Sequence, residues 1–172
     1  VKFSGVLESH GTSTGDVDVL METLNRSVVR SRRRRSFVCL ALAELDLKEN
    51  AISFCSAGCP YPLVFRQIDG MIEEVQIDSY PLGIRDDLEF KPEKRFLAPG
   101  DYVILCSDGI IEAENGQGDQ FGYNPTSLTL AELCSQGLSP DALIDRLFSR
   151  VSEFCGDTPQ SDDMTCVVLK AT

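Results

Sequence analysis

Two acidic steps stand where apolar runs stop or start. Asp108 follows the run Tyr102-Val-Ile-Leu-Cys106 in the segment Ser107-Asp108-Gly109, and Asp162-Asp163 precedes the run Thr165-Cys-Val-Val-Leu169. An apolar strand that ends at an acidic residue holds a carboxylate rigidly at the rim of a core, and hard divalent cations take oxygen ligands. The pattern points to divalent-metal chemistry at Asp108 and Asp162. Each aspartate also has a plainer reading, because aspartate closes turns through its own side chain and Asp-Gly is a common turn dipeptide.

Other chemistries fit less well. The single histidine, His10, lies in a polar Gly/Ser/Thr stretch, so a Ser-His-Asp triad or a multi-histidine zinc site must use it or be absent. A solvated loop histidine is the simpler reading. A cysteine phosphatase needs five residues between Cys and Arg, whereas Cys59 and Arg66 are separated by six, with apolar contents. Cys55 and Cys59 lack a second pair at matching spacing, which argues against zinc. A nucleophilic aspartate in Asp16-Val-Asp-Val19 belongs at the end of an apolar strand, but a polar stretch precedes it and a helical period follows.

Composition narrows the class. The 172 residues suffice for one domain, and a net charge of −11 argues against non-specific nucleic-acid binding while favouring cations. Seven cysteines is an odd number, and Cys39, Cys55, Cys106 and Cys166 lie in apolar runs where a thiol acts as a small hydrophobe. That usage favours a reducing cytoplasm. No apolar stretch reaches the roughly 20 residues that span a bilayer, and no signal-peptide pattern opens the chain. The one basic cluster, Arg32-Arg-Arg-Arg35, reads as a solvated turn, with docking of an acidic or phosphorylated partner as the sharper alternative.

The elements that must position the two carboxylates follow from periodicity. Val17, Leu20, Met21, Leu24 and Val28 share a helical face over residues 16–29, with Asp16 as N-cap. Residues 36–45 are apolar on both alternating faces, which predicts a strand buried on both sides, with residues 51–55 as hairpin partner. Residues 63–65 and 71–75, around Asp69-Gly70, predict a second hairpin. Ser139-Pro140-Asp141 starts a helix carrying Leu143, Ile144, Leu147, Phe148 and Val151, and a weaker helix runs from about Pro125 to Gln136 with Gly137 as its stop. The expected class is α+β: a mostly antiparallel sheet covered by helices, with residues 1–35 a helical lead-in and 36–172 a strand-rich core within one domain.

The succession Phe37-Val-Cys-Leu-Ala-Leu-Ala-Glu-Leu-Asp46, Cys55-Ser-Ala-Gly-Cys-Pro-Tyr-Pro62, Pro81-Leu-Gly-Ile84 and Ala98-Pro-Gly-Asp101 resembles bacterial phosphatases of the stage II sporulation protein E type. So do Leu105-Cys-Ser-Asp-Gly-Ile-Ile-Glu-Ala-Glu-Asn115, Gly118-Asp-Gln-Phe-Gly122 and Asp162-Asp-Met-Thr165. These phosphatases belong to the metal-dependent type 2C superfamily. The resemblance covers about residues 16–172, including the Leu24-Asn25-Arg26 step in the first helix, and the order and spacing of its short motifs make it specific. It implies a β-sandwich flanked by helices, with two Mn²⁺ or Mg²⁺ ions activating a water that attacks phosphoserine or phosphothreonine. By motif position Asp108 and Asp162 are metal ligands, Gly109 lets the backbone leave the site closely, and Asp163 is a neighbouring, outer group. The implied partners are a phosphoprotein, with an anti-sigma-factor antagonist as candidate, and an upstream sensor or receiver domain.

Two departures qualify the expectation. The family carries an earlier Gly-Asp motif whose aspartate bridges both metals, and Gly15-Asp16-Val17 lies too close to the first long strand to be that motif. Residues 1–8 then read as the end of the helix that follows it, the expected domain is incomplete at its N-terminus, and at most one cation is expected in this chain, with little turnover. A sheet left open there favours dimerisation. Cys59 stands where the family commonly has a histidine that is not a primary ligand. The rival reading is a degenerate phosphatase fold that binds a phosphoprotein or relays a signal without turnover.

Overall fold

The computed structural model describes residues 17–30 and 37–172, so His10, the Asp16 cap and Arg32–Arg35 lie outside the described residues. Contacts divide the chain into two compact units: one takes residues up to Leu47, Ala51–Cys59 and Ile77–Arg95, the other Lys48–Asn50, Pro60–Gln76 and Phe96–Thr172.

In the first unit, helix α1 (Val17–Arg30) buries Val17, Met21 and Asn25, spaced one helical turn apart. Val17 and Met21 enter an apolar cluster with Cys55, Ala57, Leu82 and Phe90, against which Leu24 and Val28 also pack. Asn25 is the polar exception on that face. Its amide donates to the Arg85 carbonyl at 2.8 Å and its side-chain oxygen accepts from the Gly83 N–H at 2.9 Å, so the helix holds the 83–85 segment by both halves of one side chain. Strands β1 (Leu40–Asp46) and β2 (Ala51–Ala57) form the expected antiparallel hairpin, Leu40 opposite Ala57 and Asp46 opposite Ala51.

The expectation that the first strand is buried on both sides does not hold. In the three-stranded order β1-β2-β5, with β5 at Glu93–Phe96, β1 is an edge, and it is exposed from Ala43 to Asp46. Central β2 is the strand that is almost wholly buried. A doubly apolar run reports which residues tolerate burial; it does not report how many neighbours the strand has.

The second unit carries a four-stranded sheet in the order β4-β3-β6-β7, formed by β3 (Leu63–Arg66), β4 (Met71–Glu74), β6 (Tyr102–Cys106) and β7 (Cys166–Lys170), every adjacent pair antiparallel. The β3–β4 turn is the one Asp69-Gly70 predicts: Gly70 adopts φ +70°, its N–H donates to the Arg66 carbonyl, and the Met71 N–H donates to the Asp69 carboxylate. Helices α3 (Tyr123–Ser135) and α4 (Pro140–Cys155) bury Leu130, Leu133, Leu143, Leu147 and Val151 in one cluster with Phe65, Tyr102 and Ile104 of the sheet. The Ser139 hydroxyl accepts the Ala142 N–H at 3.3 Å and Pro140 opens α4, as its sequence predicts.

Candidate metal centre

Strand β6 enters the sheet from an anchored turn. The Asp101 side chain, 3% exposed, accepts the N–H groups of Gln67 and Ala98 and pairs with Arg66 at 3.1 Å. Burial disfavours the Arg66 charge, but its hydrogen bonds to Glu73 and Asp101 outweigh this and hold its pKa up. Five residues later β6 ends at Cys106, directly opposite Cys166 at the start of β7. The two acidic steps of the sequence therefore leave the same end of one strand pair.

Ser107 fastens that end. Its N–H donates to the Thr165 carbonyl at 2.9 Å, its hydroxyl donates to the Asp163 carbonyl at 3.1 Å, and the same hydroxyl oxygen accepts the Thr165 N–H at 2.9 Å. The chain then turns into a short helix, α2 (Asp108–Ile111). Gly109 is buried, and a Cβ there would collide with the Asp163 carbonyl, so only glycine allows the backbone after Asp108 to lie on the backbone at Asp163.

Both predicted ligands are exposed at this junction. One carboxylate oxygen of Asp108 accepts the Gly109 N–H at 3.0 Å, and one of Asp162 accepts the Asp163 N–H at 2.7 Å. The Asp162 carbonyl accepts from the Gln160 side chain at 2.6 Å. These bonds restrain each carboxyl group and leave its second oxygen outside them. Exposed, hydrogen-bonded carboxylates on adjacent loops suit a hard divalent cation as part of its donor set. Among the described residues no group of three or more His, Cys, Asp or Glu converges as a metal site would. Asp108 and Asp162 could therefore supply only part of a cation's donor set.

The cysteines behave mostly as core. Burial pushes the Cys55 thiol up to about 11, with Asp18 adding to the effect, and pushes Cys134 up to about 12. Neither suits a nucleophile. Cys106 and Cys166 differ: their sulfurs are 3.8 Å apart, with Cys106 donating. That bond, together with burial, drives the Cys106 pKa up, and as acceptor Cys166 is held down.

Sequence reasoning placed Asp108, Gly109, Asp162 and Asp163 at strand ends, and the structure brings all four to one junction. It gave no role to Ser107, whose partner lies 56 residues away, and Asn25, whose partner lies 60 residues away, entered only within the Leu24-Asn25-Arg26 step of the family resemblance. A serine between an apolar run and an Asp-Gly step was the available signal for Ser107.

A mixed fold of antiparallel sheet and packed helices is what this chain shares with solved type 2C phosphatase domains. The SiaA-PP2C domain of Pseudomonas aeruginosa superposes with a TM-score of 0.72 at 20% identity, over 90% of this chain and 69% of that one. The phosphatase domain of the cell fate determinant SpoIIE from Bacillus subtilis, presoaked with Mn, gives 0.63 at 23% identity over 98% of this chain and 77% of that one. The chain belongs to the stage II sporulation protein E (SpoIIE) family, whose model matches residues 1–172. Among curated proteins it is similar to phosphoserine phosphatase RsbU of Bacillus subtilis (strain 168), 25% identical over 153 residues; these cover 88% of this chain and 44% of RsbU, so the chain spans less than half that relative's length.

Proposed function

We propose that this chain serves a Mn²⁺- or Mg²⁺-dependent phosphatase acting on phosphoserine or phosphothreonine in a bacterial signalling protein, an anti-sigma-factor antagonist being the candidate substrate. The observation that carries the reading is the junction at which Gly109 lies on the Asp163 carbonyl and both Asp108 and Asp162 emerge into solvent. Membership of the SpoIIE family and similarity to a phosphoserine phosphatase support it.

Asp108 and Asp162 would hold the cation, and Ser107 and Gly109 would fix the distance between their loops. When bound, a divalent cation lowers the pKa of water and offsets charge on phosphoryl oxygens. The exposed junction lets a phosphorylated side chain on another protein reach these carboxylates without a deep cleft. The net charge of −11 draws cations toward the surface but repels phosphate, so the substrate depends on a bound cation to offset that repulsion. Among the described residues no helix is long and apolar enough to cross a membrane, and cytoplasmic action is part of the proposal.

Mn²⁺ titration of the full-length protein against a phosphoserine peptide tests the reading, beside Asp108→Asn and Asp162→Asn. Each substitution is expected to lower activity by about 100-fold or more, since even outer-shell changes cost about 10–100-fold. Full activity in both variants would sink the assignment. Because no group of three or more His, Cys, Asp or Glu converges among the described residues, a second reading is a phosphoprotein-binding module without turnover. Binding of the phosphopeptide with no phosphate release at saturating Mn²⁺ would select it.

A further inference from the structure

Cys106 and Cys166 come from runs 60 residues apart and meet as directly opposed residues of β6 and β7. Their pairing class follows from the ladder. Ser107 donates to Thr165 on one side of the pair, and at the far end of the strands the Ala171 N–H donates to the Asp101 carbonyl. Hydrogen-bonded and non-hydrogen-bonded pairs alternate in an antiparallel ladder. Positions 101 and 107 are therefore of the hydrogen-bonded kind, and Cys106 with Cys166 is a non-hydrogen-bonded pair. Such pairs bring Cα atoms to about 4.5 Å, within the range a disulfide spans.

The sulfurs already face each other. They are 3.8 Å apart, against a disulfide length of about 2.05 Å, so closure calls for side-chain rotation between directly opposed residues. Both residues are partly exposed, whereas Cys55 and Cys134 are buried. Cys106 also borders a small cavity with Tyr61, Leu63, Ile111, Tyr123 and Thr126.

We propose that Cys106 and Cys166 are a modification site: a dithiol that closes reversibly to a cross-strand disulfide in response to a hydroperoxide. The reaction needs one two-electron oxidant. One sulfur of the pair, as thiolate, attacks one peroxide oxygen; the O–O bond breaks, the distal oxygen leaves and takes up that thiol's proton as water or alcohol, and the attacking sulfur is oxidised to a sulfenic acid. The other thiol then attacks that sulfur, the S–O bond breaks, and the hydroxyl leaves with the second thiol's proton as water. Two thiols and one peroxide thus give one disulfide. Exchange with a dithiol reverses it. The bridge sits immediately before Ser107-Asp108 and immediately after Met164-Thr165, so it would tie together the strand ends from which the two candidate ligands emerge.

The proposal stands on the thiol geometry and is independent of the phosphatase reading. Its test uses the folded full-length protein treated with hydrogen peroxide, alkylated, digested without reductant and mapped by mass spectrometry. The expected product is a linked peptide pair containing Cys106 and Cys166, lighter than the two free peptides by two hydrogens and lost on treatment with dithiothreitol. In parallel, Cys106→Ser and Cys166→Ser should each abolish that product. If either variant fails to fold, the wild-type map decides. Linkage of either residue to Cys134, or peroxide consumption that leaves both thiols unlinked, overturns the proposal.

Discussion

Gly109 shows how much one missing methyl group decides. The chain after Asp108 rests on the backbone at Asp163, whose carbonyl occupies the position a Cβ would take. Gly109→Ala must push the two loops apart, so it is expected to cost about 2 kcal/mol in urea unfolding and to weaken Mn²⁺ binding as well. Ser107 makes the contrasting case. Ser107→Ala removes a hydroxyl that donates to Asp163 and accepts from Thr165, while strands β6 and β7 keep their ladder. Mn²⁺ affinity should fall about 10-fold with a much smaller change in stability; equal losses in both would mean that Ser107 merely holds the fold. Asn25 is the purely structural counterpart. Asn25→Ala strands the Arg85 carbonyl and the Gly83 N–H, at an expected cost of about 1–3 kcal/mol and no direct effect on metal binding.

At the scale of elements, the sequence was most readable where the signal is local. Ser139-Pro140-Asp141 specifies the start of α4 through one side-chain acceptor and one fixed φ, and the apolar spacing behind it carries the buried face. Asp69-Gly70 specifies its turn in the same way. The first strand was misread because its alternation is satisfied by an edge as readily as by a centre. The consequence can be measured. Leu45→Lys on exposed β1 should change stability by less than about 0.5 kcal/mol, whereas Phe54→Ala on buried β2 should cost about 3–5 kcal/mol. A large loss from Leu45→Lys would restore the doubly buried strand. The pairing of β6 with β7 was hidden for another reason: neither strand encodes its partner locally. The acidic steps at the ends of apolar runs and the ordered motifs of a family pointed to Asp108 and Asp162 together before the register did, and no motif joined Cys106 to Cys166.

For the whole molecule the governing quantity is charge. Asp and Glu number 27 against 16 Lys and Arg, so a cation approaching Asp108 and Asp162 experiences an excess of negative charge beyond the two carboxylates it would meet. The direct contacts are short and weakly screened, but the wider field reaches only about 10 Å at 0.1 M salt and about 3 Å at 1 M. The two contributions are therefore separable by ionic strength. Binding to the folded state stabilises it by about 2.7 kcal/mol when the free ion stands at 100 times its Kd, so the rise in Tm with Mn²⁺ reports affinity without any substrate. Raising NaCl from about 0.1 M to about 1 M should move the whole curve of Tm rise against Mn²⁺ concentration to several-fold higher concentrations. In Asp108→Asn the rise at a given Mn²⁺ concentration should shrink at both salt concentrations, because a proposed ligand is lost. A curve that ignores salt in the wild type would place the affinity wholly in the local donors, and a salt response that survives unchanged in both Asp108→Asn and Asp162→Asn would place the cation elsewhere on the acidic surface.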